Sequence, residues 1–237
     1  MPRRTAGPLE KGRSTYPKCM EEPVFVPHHP WRPDVPPEVS AKKFYDTLSQ
    51  RRSVRHFSDA PVSLETMEWV IRSAASAPSG ANKQPWRFVC VQSSALKKKI
   101  RLAAEEEERR FYEERATDAW KEDLAPLGTD KVKEYLDTAP WLVVVFKLTK
   151  DDDGGGVYYA EESVGIATGM LLAAAQMTGL ATLTHTPSPM KFLGEVLERP
   201  ENERAWMLIP MGWPAKDCEV PAHGVEKKPL EQVMVVH

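Results

Sequence analysis

The sequence predicts an α+β fold, a central sheet with helices packed on it. Three observations carry that expectation. Residues 86–92 and the run Trp141-Leu-Val-Val-Val-Phe146 are short, apolar and strong in β propensity. Elsewhere apolar residues recur at helical spacing, as in Leu64, Met67, Val70, Ile71 and Ala74. Strands and helices alternate without an internal repeat, and 237 residues with 41% hydrophobic content can bury one substantial core.

Residues 1–37 hold nine of the 21 prolines and little apolar periodicity, so they are expected to form a proline-rich arm or tail. The domain then occupies residues 38–237. Its first helix is expected from Ser40 as cap to about residue 50, with Phe44, Tyr45 and Leu48 as apolar positions. A short extended piece, His56-Phe57-Ser58, precedes a second helix opened by Ser63 with Glu65 in its first turn. That helix stops at Ala77-Pro78-Ser79-Gly80-Ala81, because Pro78 disfavours helical geometry in the residue before it. The strand at 86–92 leads into the most polar helix, 97–115, which contains Glu105-Glu106-Glu107-Glu108-Arg109-Arg110-Phe111-Tyr112.

A turn at 126–128 and a short helix before Pro140 lead into the core strand. Asp151-Asp152-Asp153-Gly154-Gly155-Gly156 has calcium-like letters without the remaining loop ligands, and reads as a flexible hairpin tip. The helix 157–178 is apolar nearly all round in its second half and ends at Gly179, a natural C-terminal cap. Strands at 180–185 and 205–211 flank a short helix near 190–197, and the tail from 226 to 236 reads as a last strand.

A net charge of −2 advertises neither nucleic acid nor an anionic membrane. Three scattered cysteines and six histidines show no metal-ligand spacing, which points to a reduced intracellular protein with no metal. The longest apolar run, 164–177, is short of the roughly 20 residues a bilayer span needs, and no signal peptide is visible. The chain as given is expected to be soluble and cytoplasmic; a membrane-anchored longer form stays open.

Three stretches have functional chemistry. Arg51, Arg52, Ser53 and Arg55 place three guanidiniums and a hydroxyl just past a helix end, able to grip a phosphate; a basic surface turn is the plain alternative. The small-residue turn at Pro78-Ser79-Gly80 lets backbone N–H groups approach a planar ligand. Thr184-His185-Thr186 offers donors at a strand end. None is a Walker or dinucleotide fingerprint. On the polar helix, partners lie three or four residues on, so Glu105 meets Arg109, Glu106 meets Arg109 and Arg110, and Glu107 meets Arg110. Glu108 meets only Phe111 and Tyr112, so it lacks a local counter-charge.

Together, Arg-Arg-Ser-Val-Arg at 51–55, Ala-Pro-Ser-Gly-Ala-x-x-x-Pro-Trp at 77–86 and Lys-Glu-Tyr-Leu-Asp-Thr-Ala-Pro at 133–140 resemble the nitroreductase superfamily. Within it they are similar to the iodotyrosine deiodinases, from about residue 40 to the C-terminus, including Gly-Leu-Ala-Thr-Leu-Thr-His-Thr-Pro at 179–187. The resemblance implies a central mixed sheet flanked by helices, an intertwined homodimer, and FMN at each of two subunit interfaces. Arg51, Arg52, Ser53 and Arg55 would hold the phosphate and ribityl chain, with Lys227 where the family has an arginine. Pro78, Ser79 and Gly80 would line the ring from the other subunit, and Thr184, His185 and Thr186 would lie beside it. One threonine hydroxyl, Thr186 before Thr184, would donate to flavin N5 and favour one-electron steps.

The family's substrate-contacting glutamate, tyrosine and lysine fall on Glu108, Tyr112 and Lys133, under a lid spanning 97–137. A zwitterion needs a carboxylate for its ammonium and a cation for its carboxylate; the substrate phenolate would sit near the N–H of Ala81. The implied reaction is reductive removal of halide from mono- and diiodotyrosine, with a reduced nicotinamide (NADPH or a relative) or a separate reductase as donor. A general nitroreductase or quinone reductase, and a flavin-binding protein without turnover, are the alternatives.

Overall fold

The apolar run at 141–146 lies in the middle of the sheet. In the computed structural model, which describes residues 23–237, four strands lie in the order β1 (Trp86–Val91), β2 (Trp141–Leu148), β4 (Glu203–Gly212), β3 (Ala181–Thr182). All three neighbour pairs are antiparallel. A parallel bridge from Ser53 to Thr182 gives the β3 edge its mixed character.

Successive residues of a strand face opposite sides of the sheet, and β2 needs apolar residues on both. Trp141, Val143 and Val145 pack with Ile209 and Met211 against α2 (Leu64–Ala75) and α6 (Ala160–Met177). Leu142, Val144 and Phe146 pack with Leu208 against α3 (Ser94–Arg110), α5 (Tyr135–Thr138) and α7 (Lys191–Val196). The remaining helices are α1 (Pro37–Leu48) and α4 (Asp118–Leu124). Residues Ala41–His237 form one compact unit, with the sheet sandwiched between the two helical layers. None of its helices is long and apolar enough to cross a membrane.

Local signals explain several boundaries. Ser63 caps α2 by accepting from the Thr66 N–H at 3.1 Å. Gly179 follows α6 at φ +79°, and its N–H reaches the Gln176 carbonyl at 3.1 Å.

Other expectations need correction. The first helix starts at Pro37 rather than after Ser40, which lies inside it; proline suits the first helical position because its missing N–H would have no partner there. The strand expected over 180–185 is regular only at Ala181–Thr182, with one further bridge, His185 to Leu208. The loop at 151–156 is tied down: Lys83 binds Asp151 at 2.8 Å and Arg87 binds Asp152 at 2.7 Å. The tail forms a 3-10 turn, Leu230–Gln232, and no strand, because a strand needs a neighbour for its N–H and C=O groups. Val233, Met234, Val235 and Val236 are exposed. Of the arm, residues 1–22, including Cys19, lie outside the described residues.

Candidate active site

The parallel bridge between Ser53 and Thr182 carries the arginine-rich segment to the functional end of the sheet. The Val54 N–H donates to the Thr182 carbonyl at 3.1 Å, so Ser53 and Arg55 run beside the strand that leads into Leu183-Thr184-His185-Thr186. Both segments line one cavity of about 410 Å³, within the range of small-molecule sites.

Its other wall is the polar helix with the turn at its C-terminal end. The chain leaves α3 in a π-turn, Phe111–Arg115, closed by the Ala116 N–H on the Phe111 carbonyl at 2.8 Å. Such turns insert a residue and re-aim side chains, and they recur at functional sites. Tyr112 faces the cavity from this turn, its hydroxyl donating to the Thr129 carbonyl at 3.1 Å. Phe111 packs edge-on to Tyr112 and Trp120, at 5.2 and 4.7 Å between ring centroids. With Leu124, Leu127 and Tyr135 they give the cavity an aromatic and aliphatic side.

The charged centre is Glu108. Its Oε1 lies 3.0 Å from His185 Nε2, and its Oε2 lies 3.4 Å from Lys133 Nζ. Glu108 and Lys133 side chains are only 13% and 6% exposed, so water does little to screen them. Burial pushes the Glu108 carboxyl up, but the His185 hydrogen bond and the Lys133 charge outweigh it and leave it below its ordinary value. Lys133 is itself held twice more: its ammonium on the Asp130 carbonyl, and its backbone N–H on Glu105 Oε1 at 2.8 Å. Burial raises the Tyr112 phenol, against the bond to Thr129, so it stays protonated at neutral pH.

The sequence-derived candidates divide cleanly. Ser53, Arg55, Glu108, Tyr112, Lys133, Thr184, His185 and Thr186 line the same cavity. Thr184 and Thr186 are exposed to it while His185 is buried between them, the alternation of an extended chain. Arg51 and Arg52 sit beside Ser53 without lining it; burial and its neighbour Arg52 both lower the Arg51 basicity. Among the described residues Arg51, Arg52 and Arg55 make no ion pair, which leaves three guanidiniums for an anion.

Pro78, Ser79, Gly80 and Ala81 do not reach this cavity in the same chain. The Gly80 N–H faces Ser163 Oγ at 3.3 Å on the α6 side, and a Cβ on Gly80 would lie 2.6 Å from the Tyr158 carbonyl oxygen. Beside it Ala81, Asn82 and Gln84 all have positive φ, at 50°, 53° and 47°, a costly cluster for non-glycine residues. Lys227 lies in the tail, its Nζ donating to the Gly224 carbonyl at 3.0 Å.

The pairing expected for Glu105 is wrong. It binds Arg101, four residues back, at 2.9 Å, while Arg109 is taken by Glu106 and Glu113. Sequence reasoning also missed Glu108's partners and the aromatic lining. Glu108's lack of a local counter-charge was the one signal that its partner lies elsewhere in the chain.

The nitroreductase family model matches residues 48–213. An iodotyrosine deiodinase of Haliscomenobacter hydrossis is 46% identical over 223 residues, covering 92% of this chain and 99% of that protein. Iodotyrosine deiodinase 1 of Homo sapiens is 45% identical over 202 residues, covering 82% of this chain and 68% of that protein. Among solved structures, oxidized iodotyrosine deiodinase bound to FMN and 3-iodo-L-tyrosine superposes with a TM-score of 0.67 at 32% identity, covering 73% of this chain and 90% of that one.

Proposed function

The chain belongs to the nitroreductase family, and from that membership we propose that it removes iodide reductively from mono- and diiodotyrosine with FMN as cofactor. The observation that carries the substrate is the buried Glu108–Lys133 pair at the cavity wall. Two opposite charges held 3.4 Å apart beside an aromatic lining match the head of a free amino acid attached to a phenol. A buried pair contributes little net stability, so its presence is better explained by what it binds.

The residues fit FMN. Arg51, Arg52 and Arg55 supply positive charge for a phosphate, and Ser53 supplies a hydroxyl for the ribityl chain. Thr184 and Thr186 present hydroxyls at the same cavity, with Thr186 the first choice as donor to flavin N5. When bound and reduced by the donor, FMN would supply two electrons in single steps; with one proton taken up, the carbon–iodine bond would be replaced by carbon–hydrogen and iodide would leave.

The protein's part is selection and exclusion of water. Glu108 accepts the substrate ammonium, Lys133 takes its carboxylate and Tyr112 donates to that head group, so the internal ion pair opens as the zwitterion enters. The segment from α3 through Lys133 acts as a lid, which strengthens every charge interaction beneath it. Pro78, Ser79, Gly80 and the Ala81 N–H complete the site from a second copy of the chain. The unpaired apolar tail and the exposed Phe44 and Tyr45 of α1 support an intertwined homodimer. Lys227 lies on that tail, and a phosphate contact from it also depends on the second copy. The ultimate donor is a reduced nicotinamide, directly or through a separate reductase.

The test is anaerobic. Protein loaded with FMN is reduced, diiodotyrosine is added, and flavin reoxidation is followed beside iodide release. Both should proceed together; reoxidation by nitroaromatics with none by diiodotyrosine would identify a general nitroreductase instead.

A further inference from the structure

His185 lies between the two threonines assigned to the flavin, yet its side chain points away from them, under the lid. Its backbone is locked to the sheet: its N–H donates to the Leu208 carbonyl, and the Leu208 N–H donates back, each at 2.9 Å. The side chain is 9% exposed, packs edge-on to Tyr135 with centroids 6.2 Å apart, and meets Glu108 Oε1 through Nε2 at 3.0 Å.

The chemistry of that contact fixes the tautomer. An ionised carboxylate only accepts, so Nε2 must carry the proton. Nδ1 is buried and has no hydrogen-bond partner among the described residues. A second proton there would create a buried, unpaired donor on a cation, a worse arrangement than an unpaired lone pair. The groups facing the ring agree. Burial pushes the imidazole below its ordinary value, Lys133 and Arg55 add to the effect, and Glu108 opposes it without prevailing.

We propose that His185 is the positioning residue for substrate selection: its neutral imidazole, anchored to β4, holds Glu108 Oε1 and so presents Oε2 to the substrate ammonium. The inference rests on Glu108 being the ammonium's acceptor. Without this bond, Glu108 is held only by a lysine that must swing to the substrate carboxylate during binding. The last fixed point of the site would then be lost at the moment it is needed. Protonating His185 would place a cation beside the incoming ammonium, so halotyrosine binding weakens on acidification while Glu108 is still ionised.

The test compares His185→Leu, which lacks the donor, with His185→Gln, which can place a nitrogen near the Nε2 position, both loaded with FMN. KM and kcat are measured for diiodotyrosine and for the matching iodophenol, which has no head group. Loss of one charge-assisted bond should raise the diiodotyrosine KM roughly tenfold relative to iodophenol in the leucine variant, with kcat changed far less. The glutamine variant should recover most of it. The acid limb of kcat/KM expected from His185 with diiodotyrosine should be replaced in His185→Leu by the limb of Glu108 alone, whose carboxyl loses the bond that lowers it.

An unchanged KM ratio in His185→Leu, with the ratio collapsed in Glu108→Gln, would overturn the role of His185 alone. A ratio unchanged in Glu108→Gln as well would overturn the assignment of Glu108. Weakened FMN binding in His185→Leu at an unchanged ratio would assign the ring to the cofactor instead. Should the leucine variant not fold, nitrogen-15 NMR of the wild-type ring near neutral pH decides: the neutral Nε2–H tautomer is expected, and an Nδ1–H form or an imidazolium refutes the proposal.

Discussion

Glu106 and Glu108 stand two residues apart on one helix and do opposite things with their charge. Glu106 spends its charge locally, accepting from Arg109 at 2.9 and 3.0 Å and from Arg110 at 2.8 Å, all on the outer face of α3. Those bonds pull its carboxyl down to about 2. Glu108 is reached by His185, 77 residues on, and by Lys133, beneath the helix. A strongly shifted carboxyl marks close pairing and not function: the larger shift belongs to the surface residue, where solvent screens the pair and side-chain entropy opposes it. Function follows from partners that a substrate can replace in a cavity that can hold it.

The largest expected effect is therefore at Glu108. Glu108→Gln leaves the Lys133 ammonium buried against an amide and removes the acceptor for a substrate ammonium. Truncating one member of such a pair costs about 3 kcal/mol, or roughly a hundredfold in the halotyrosine KM. Lys133→Gln should do somewhat less, because the substrate carboxylate keeps the Tyr112 hydroxyl. Steady-state kinetics with diiodotyrosine beside its iodophenol checks both; equal losses on the two substrates would place these charges outside head-group binding.

That contrast also shows what the sequence could say. Helical spacing exposed Glu108 as the glutamate without a local counter-charge, and it put Ser63, Gly179 and the β2 run where they are found. It could not choose between partners ahead and behind. Glu105 turned back to Arg101 because Glu106 and Glu113 both compete for Arg109, which lies one turn from each. Nor could it reveal that His185, expected beside the flavin, meets Glu108 instead, because that contact depends on how the β3–α7 loop meets the polar helix. The tail read as a strand because its residues are β-formers, but strand formation is settled by a neighbour, and the described chain supplies none.

A middle-sized effect is expected at Glu105, which sits on the same helix yet belongs to the inner set through its bond to the Lys133 N–H. Glu105→Ala removes the acceptor for the Lys133 N–H, while Arg101 still ties Asp137 to α3 at 2.8 Å, and should raise the halotyrosine KM roughly fivefold, about 1 kcal/mol, with kcat little changed. Equal values for this variant and the wild type would mean that the other ties to this segment, from Arg101 to Asp137 and from Lys97 to the Asp137 and Ala139 carbonyls, suffice to place Lys133.

Acid should separate the two regions next. The folded values of His185 and Glu108 both lie below their ordinary 6.5 and 4.5. A depressed value means the unfolded chain binds the proton more readily, so the stability is intact above the ordinary value and is lost as pH falls below it. The His185 contribution should therefore start to fade below 6.5, and that of Glu108 only below 4.5. Melting temperature against pH should decline by a few degrees over the first window, and His185→Leu should flatten that part of the curve.

The smallest effect is at Glu106, and it is the sharpest check on the comparison. Glu106→Gln removes a carboxylate that makes three hydrogen bonds, more than any other glutamate of the run. If bond count governed importance, it would be the most damaging change on the helix. Arg109 keeps Glu113, however, at 2.7 Å, and Arg110 keeps Glu107 at 3.7 Å. Both guanidiniums can return to water, so neither is stranded. KM, kcat and FMN affinity should stay within about twofold of the wild type, and added salt should erase any small loss of stability. A KM rise approaching that of Glu108→Gln would mean that the outer face also meets substrate or a second copy of the chain, and the division of this helix into a solvated side and a selecting side would fail.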